Sequence, residues 1–237
     1  MHNAPTEAWC RHDLVWLKLD AVKHAEYAGP APMEPISALS LLHRWVLGGY
    51  PLIVARQEEI QSTGLRVGLA EPASWGKRRL SFVVNRGDIQ KHQQGPGLSN
   101  VVPQLPLHWQ AGALALNSFL GEQGISAHVY GSSAVQHLTG LPCVTENSDL
   151  DVLFKPLTWS HAENLCVYLN SLQTRYPAFH VDGEVLSPSG HAVPWRELCR
   201  ALPEHNAQLL SKTSREVQLV SLTDYRSGFT CPVGSAA

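Results

Sequence analysis

The chain has 237 residues, 44% of them hydrophobic and 16% charged, with 18 glycines and 16 prolines, a composition that excludes disorder, collagen and coiled coil and leaves one large or two small globular domains. Eighteen Lys and Arg stand against 20 Asp and Glu, a formal net charge of -2. No global positive field is available to hold a nucleic-acid backbone, so any polyanion must be met locally.

In chain order, Leu14 to Leu17 reads as a strand and Ile36 to Leu47 as a helix stopped by Gly48-Gly49. Pro51 to Ala55, Leu65 to Leu69 and Leu80 to Val84 read as further strands. The run from His92 to Asn100 is rich in turn formers, so a boundary is expected near 95–105, dividing an N-terminal α+β domain (1–98) from a second domain (99–237). After it, Leu107 to Leu120 predicts a helix closed by Gly121 and Gly124. Ile125 to Tyr130, Ser132 to Leu138, Asp149 to Phe154, Ser160 to Leu172 and Phe179 to Leu186 then alternate strand, helix, strand, helix, strand. Ser160 and Glu163 have capping-box spacing. Trp195 to Ala201 predicts a helix entered through Pro194, and Val217 to Leu222 a last strand.

The five cysteines, Cys10, Cys143, Cys166, Cys199 and Cys231, are widely spaced without a C-x-x-C pattern, as expected of reduced thiols in a cytoplasmic protein. Met1 to Arg11 has no apolar run of signal-peptide length, and the most apolar stretch, Ile36 to Ala55, is interrupted by His43, Arg44 and Gly48 to Pro51. Neither secretion nor membrane spanning is expected.

The chemistry concentrates where Val129-Tyr130-Gly131-Ser132-Ser133 leads, one helix later, to Asn147-Ser148-Asp149-Leu150-Asp151-Val152. Strand alternation points Asp149 and Asp151 to one face and Leu150 and Val152 to the core. Two carboxylates on one face repel unless a cation sits between them, and hard oxygen ligands of this kind suit Mg²⁺ shared with substrate phosphates. Gly131 allows close backbone approach to a phosphate, and Ser132 with the amides opening the next helix can donate to it.

This pattern resembles the nucleotidyltransferase fold of the DNA-polymerase-β type: Gly-Ser, a helix, Asp-x-Asp on a strand, and a third carboxylate on a later strand. Asp182 and Glu184 alternate onto one face of the Phe179–Leu186 strand and are the candidates for the third carboxylate, Asp182 being favoured. The interval between Ser132 and Asp149 exceeds that of most members by the turn from Gly140 to Glu146.

Arg11-His12-Asp13-Leu14-Val15-Trp16-Leu17, Tyr130 to Ala134, Gln136-His137-Leu138-Thr139-Gly140, Ser148 to Asp151, Asp182-Gly183-Glu184 and Val193 to Glu197 together resemble the malonate decarboxylase holo-[acyl-carrier-protein] synthases, the phosphoribosyl-dephospho-CoA transferases. The resemblance implies transfer of 2'-(5''-phosphoribosyl)-3'-dephospho-CoA from 2'-(5''-triphosphoribosyl)-3'-dephospho-CoA to a serine of the apo acyl-carrier subunit of malonate decarboxylase, with release of diphosphate. It also implies two Mg²⁺ ions on Asp149, Asp151 and Asp182, with Ser132 and Ser133 on the outgoing phosphates.

Outside that motif, Arg196 and Lys212 can each reach a phosphate or pair with a nearby carboxylate. Between Arg56 and Lys91 seven basic residues, including Lys77-Arg78-Arg79, stand against Glu58, Glu59, Glu71 and Asp88, which suits either an anionic partner or a solvated strand edge. None of the 12 histidines shows H-x-x-x-H or H-E-x-x-H spacing. His12, Asp13 and His137 read as structural, and Trp16, Trp45, Trp75 and Trp109 as core and domain-interface aromatics, with room for one of them to stack on an adenine. Two rival functions remain open: a nucleotidyltransferase acting on another protein, RNA or a small molecule, and a non-catalytic module that binds a nucleotide or CoA derivative.

Overall fold

A computed structural model of the chain describes residues 9–29, 35–57, 64–146, 148–204 and 206–230. Glu58, Glu59, Asn147, Cys231 and the first eight residues lie outside the described residues. The chain divides into two compact units, Met1–Ala70 with Arg78–Gln94, and Glu71–Lys77 with Gly95–Ala237.

The first unit is built on strands β1 (Leu14–Leu17), β2 (Glu26–Tyr27), β3 (Leu52–Val54), β4 (Gly64–Ala70), β5 (Arg79–Asn85) and β6 (Ile89–Gln93), ordered β2-β5-β4-β3-β1-β6. Every pairing is antiparallel. Period-two alternation sets the core: Leu65, Val67 and Leu69 of β4 and Leu80, Phe82 and Val84 of β5 are buried, while Arg66, Gly68, Ser81 and Val83 between them are not. Helix α1 (Pro35–Leu47) buries Ala38, Leu42 and Trp45 at helical spacing, and Trp45 Nε1 donates to the Pro51 carbonyl at 2.8 Å. Gly49, at φ 71°, turns the chain after the helix.

Strand β6 corrects the expectation that His92 and Gln93 begin a linker. Val15 pairs with His92 and Leu14 with Gln93. The Ile-Gln-Lys-His-Gln sequence hides the strand because an edge strand needs no apolar alternation. His92 Nε2 lies 2.8 Å from Oδ2 of the buried Asp13, which also accepts from the Cys10 amide at 3.2 Å. Asp13 is thereby structural, as expected.

The second unit holds a mixed sheet of strands β7 (Ser126–Val129), β8 (Leu150–Lys155), β9 (Val181–Leu186), β10 (Ala192–Pro194), β11 (Gln208–Lys212) and β12 (Val217–Ser221), in sequential spatial order. The β8–β9 pairing is parallel and the others are antiparallel. Its helices are α2 (Leu98–Val101), α3 (Leu107–Glu122), α4 (Gly131–Thr139), α5 (Trp159–Arg175), α6 (Trp195–Ala201) and α7 (Leu222–Ser227). Parallel neighbours need a crossover, and α5 supplies it. Leu150, Val152, Phe154, Val181, Val185, Val193 and Leu209 form one apolar sheet face, in one core with Trp109 and Leu116 of α3 and Leu165 and Leu169 of α5.

Local signals differ from expectation at three places. The α5 N-cap is Thr158, whose Oγ1 accepts from the His161 amide at 3.2 Å, so the Ser160/Glu163 box is not used; such a cap contributes about 1 kcal/mol. Gly121 lies inside α3, and Gly124, at φ 62°, follows the helix end. Strands β10 and β11 and helix α7 were not foreseen, although Ser221 and Asp224 carry a capping signature: Ser221 Oγ accepts from the Asp224 amide at 3.0 Å.

Cys10, Cys143, Cys166 and Cys199 are free thiols. Cys166 hydrogen-bonds to Cys199; that bond and burial push the Cys166 thiol up, while the same bond lowers Cys199. Among the described residues no helix is long and apolar enough to cross a membrane.

Candidate functional site

Strand β7 ends at Val129, and the Tyr130 amide donates to the Asp151 carbonyl at 3.0 Å, tying the strand-to-helix turn to β8. Gly131 follows at φ 66°, the left-handed region. The Asp151 carboxylate occupies the space a β-carbon at residue 131 would need. The Gly-Ser turn and the Asp-x-Asp strand are therefore in direct contact.

Helix α4 begins at Gly131, and its N-cap Tyr130 supplies no side-chain cap. First-turn amides in that position suit an anion. Ser132 is half-buried, whereas Ser133 is buried and its hydroxyl has no hydrogen-bond partner in the structure. A buried, unsatisfied hydroxyl costs free energy and marks a place for an added acceptor or donor.

Residues 149 to 152 run exposed, buried, half-buried, buried, the alternation expected. Asp149 stands one residue ahead of β8, which starts at Leu150. In the parallel pairing Asp151 is the register partner of Asp182 and Leu150 of Val181, so Asp151 and Asp182 are lateral neighbours on the sheet face opposite the core. Gly183, at φ 155°, allows the Val152 carbonyl to approach where a β-carbon would stand, and its amide donates to Asp182 Oδ1 at 2.9 Å. That bond orients the Asp182 carboxylate.

Glu184, two residues on along the same face, is buried and accepts from Lys212 Nζ at 2.8 Å. Lys212 thus pairs with a carboxylate while keeping 30% of its side chain exposed. Arg196 stacks over Trp195 at 4.4 Å and donates through Nη2 to the Val181 carbonyl at 3.1 Å and to Gln173 Oε1 at 3.0 Å. It braces the start of β9, one residue before Asp182.

A further residue was missed. Gln136 Oε1 accepts from the amides of Cys143 and Val144, each at 3.0 Å, and Thr139 Oγ1 accepts from the Leu141 amide at 3.1 Å. These side chains fasten the turn from Gly140 to Glu146, which delivers Asp149. The Gln136 to Gly140 signature was visible in the sequence; its structural use was not.

Among the described residues no three His, Cys, Asp or Glu side chains form a ready-made metal cage. Mg²⁺ requires less, because it binds through one or two carboxylates, substrate phosphates and water. Asp151 and Asp182 side by side, with an unsatisfied hydroxyl and uncapped helix amides beside Gly131, fit that donor set.

A model of the Phosphoribosyl-dephospho-CoA transferase MdcG N-terminal domain matches residues 10–94, and one of its C-terminal domain matches residues 97–223. A phosphoribosyl-dephospho-CoA transferase of Xanthomonas campestris pv. campestris (strain 8004) is 35% identical over 79% of this chain and 84% of its own length. One from Xanthomonas euvesicatoria pv. vesicatoria is 34% identical, covering 89% of this chain and 93% of its own. The Bradyrhizobium diazoefficiens transferase is 32% identical over 93% of each chain. No solved structure matches. Both halves of the chain are thus matched in order, and the chain belongs to the phosphoribosyl-dephospho-CoA transferase family.

Proposed function

We propose that the protein is a nucleotidyltransferase-type enzyme that moves the phosphoribosyl-dephospho-CoA group from 2'-(5''-triphosphoribosyl)-3'-dephospho-CoA to a serine of an apo acyl-carrier protein, that of malonate decarboxylase. The observation that carries this reading is the register pairing of Asp151 with Asp182 against Gly131. Such a carboxylate pair beside uncapped helix amides has little use in a pure binder of anions and clear use in phosphoryl chemistry.

In the reaction the serine oxygen bonds to the phosphorus nearest the ribose, and the bond from that phosphorus to the outgoing diphosphate breaks. Asp182, oriented by the Gly183 amide, takes the hydroxyl proton. Ser132, Ser133 and the α4 amides hold the departing phosphates by hydrogen bonds. Asp149, Asp151 and Asp182 would hold two Mg²⁺ ions, which when bound polarise the hydroxyl and neutralise the leaving diphosphate. To the first unit we assign recognition of the anionic partner through the exposed Arg78 and Arg79.

Incubating the protein with the triphosphate donor, Mg²⁺ and apo-carrier, then weighing the carrier, tests this. A mass gain equal to the phosphoribosyl-dephospho-CoA group, abolished by EDTA and restored by Mg²⁺, is expected. An unchanged carrier mass would leave the family standing and remove the acceptor.

A further inference from the structure

Glu184 is a carboxylate with 6% of its side chain exposed, and Lys212, which caps it at 2.8 Å, keeps 30% exposed. The pair lies on the face that carries Asp182: Glu184 follows two residues later, about 6.6 Å along the strand. Register explains the reach. Leu186 and Lys212 both pair with Ala192, so the lysine stem crosses the three-residue β10 to arrive over β9. Its base is firm, because the next residue, Thr213, closes the β11–β12 turn: Thr213 Oγ1 accepts from the amides of Arg215 and Glu216, each at 3.1 Å.

A triphosphate brought to a face bearing Asp149, Asp151, Asp182 and Glu184 meets like charge. One carboxylate contact leaves an ammonium further donors, and its exposed part can offer them to an incoming phosphate. We infer that Lys212 contacts a phosphate of the triphosphate donor, and that Glu184 is its positioning residue and not a cation ligand. The inference rests on the proposed use of a triphosphate donor and deepens it. The competing account is that Lys212 only neutralises a buried charge, since breaking such a pair leaves the other charge uncompensated.

The two accounts separate in the full chain with Mg²⁺ and inorganic triphosphate, titrated by calorimetry, alongside transfer kinetics. Lys212→Met should weaken triphosphate binding at least tenfold, raise KM for the donor more than it lowers kcat, and lower the melting temperature by removing the charge that offsets the buried Glu184 carboxylate. The double variant Glu184→Gln/Lys212→Met removes both charges and should recover the melting temperature while binding stays at least tenfold weaker. Lys212→Arg should stay within threefold of the wild type. A double variant that binds triphosphate as tightly as the wild type, or a wild type that binds none, overturns the inference. If the wild type binds through Lys212 but does not label the carrier, the proposed acceptor fails and the role of Lys212 stands.

Discussion

The Asp151 carboxylate fills the volume that a side chain on residue 131 would need, so Gly131 and Asp151 form one structural unit although 20 residues separate them. Glycine satisfies two demands there at once. The backbone is left-handed at φ 66°, and the carboxylate needs the empty side-chain position to stay beside the start of α4. Replacing either residue disturbs the other.

Gly131→Ala should therefore cost about 1–3 kcal/mol from the backbone conformation alone, with more from displacement of Asp151. Chemical denaturation should show the loss of stability, and transfer should fall at least 100-fold. A variant with wild-type stability and rate would show that the carboxylate can move without consequence.

Asp151→Asn and Asp182→Asn preserve shape while removing charge from neighbouring register partners. Each should lower transfer by at least 1000-fold with circular dichroism unchanged, and Asp149→Asn should act in the same direction. Substantial activity in Asp182→Asn would move the third carboxylate elsewhere on β9.

Tyr225 is buried on α7 and donates to the Val185 carbonyl at 2.6 Å. Burial raises its hydroxyl well above the ordinary value of 10.0, with Cys166 and Glu184 adding to the shift. Because the folded state holds the proton more tightly, this stability is complete below about pH 10 and is lost as pH rises further. Tyr225→Phe should lower stability at neutral pH by about 1 kcal/mol and flatten the alkaline fall in melting temperature. A fall as steep as the wild type's would place its origin in other groups.

The thiols should differ in reactivity. Hydrogen bonding from Cys166 lowers Cys199, while burial raises Cys143, so Cys199 presents more thiolate at a given pH. Alkylation followed by peptide mass spectrometry should modify Cys199 at lower pH than Cys143, and a Cys166→Ala variant should narrow that difference. Equal reactivity in the parent protein would contradict the assigned bond.

Much of the architecture was legible because it is encoded by local periodicity. Leu65, Val67 and Leu69 announce β4, the apolar face of α5 repeats at helical spacing, and Gly48-Gly49 ends α1. The elements that escaped lack such a signal. Strand β10 is three residues long and ends in proline, and β11 turns Ser211 inward beside Leu209, where it meets His191 Nδ1 at 2.8 Å. A buried serine breaks an apolar alternation without breaking the strand.

By itself the sequence determined the residue types of the site, the Gly-Ser turn, the Asp-x-Asp strand and the paired candidates Asp182 and Glu184, since each depends on neighbours a few positions away. Only the tertiary structure set Asp182 next to Asp151 and gave Lys212 its partner. The β8–β9 register sets Asp182 beside Asp151, and the β9–β10–β11 register brings Lys212 over Glu184. Register depends on which face of each strand is buried against helices far away in the chain. The net charge of -2 likewise concealed a local order, with Asp151 beside Asp182 and Glu184 paired with Lys212.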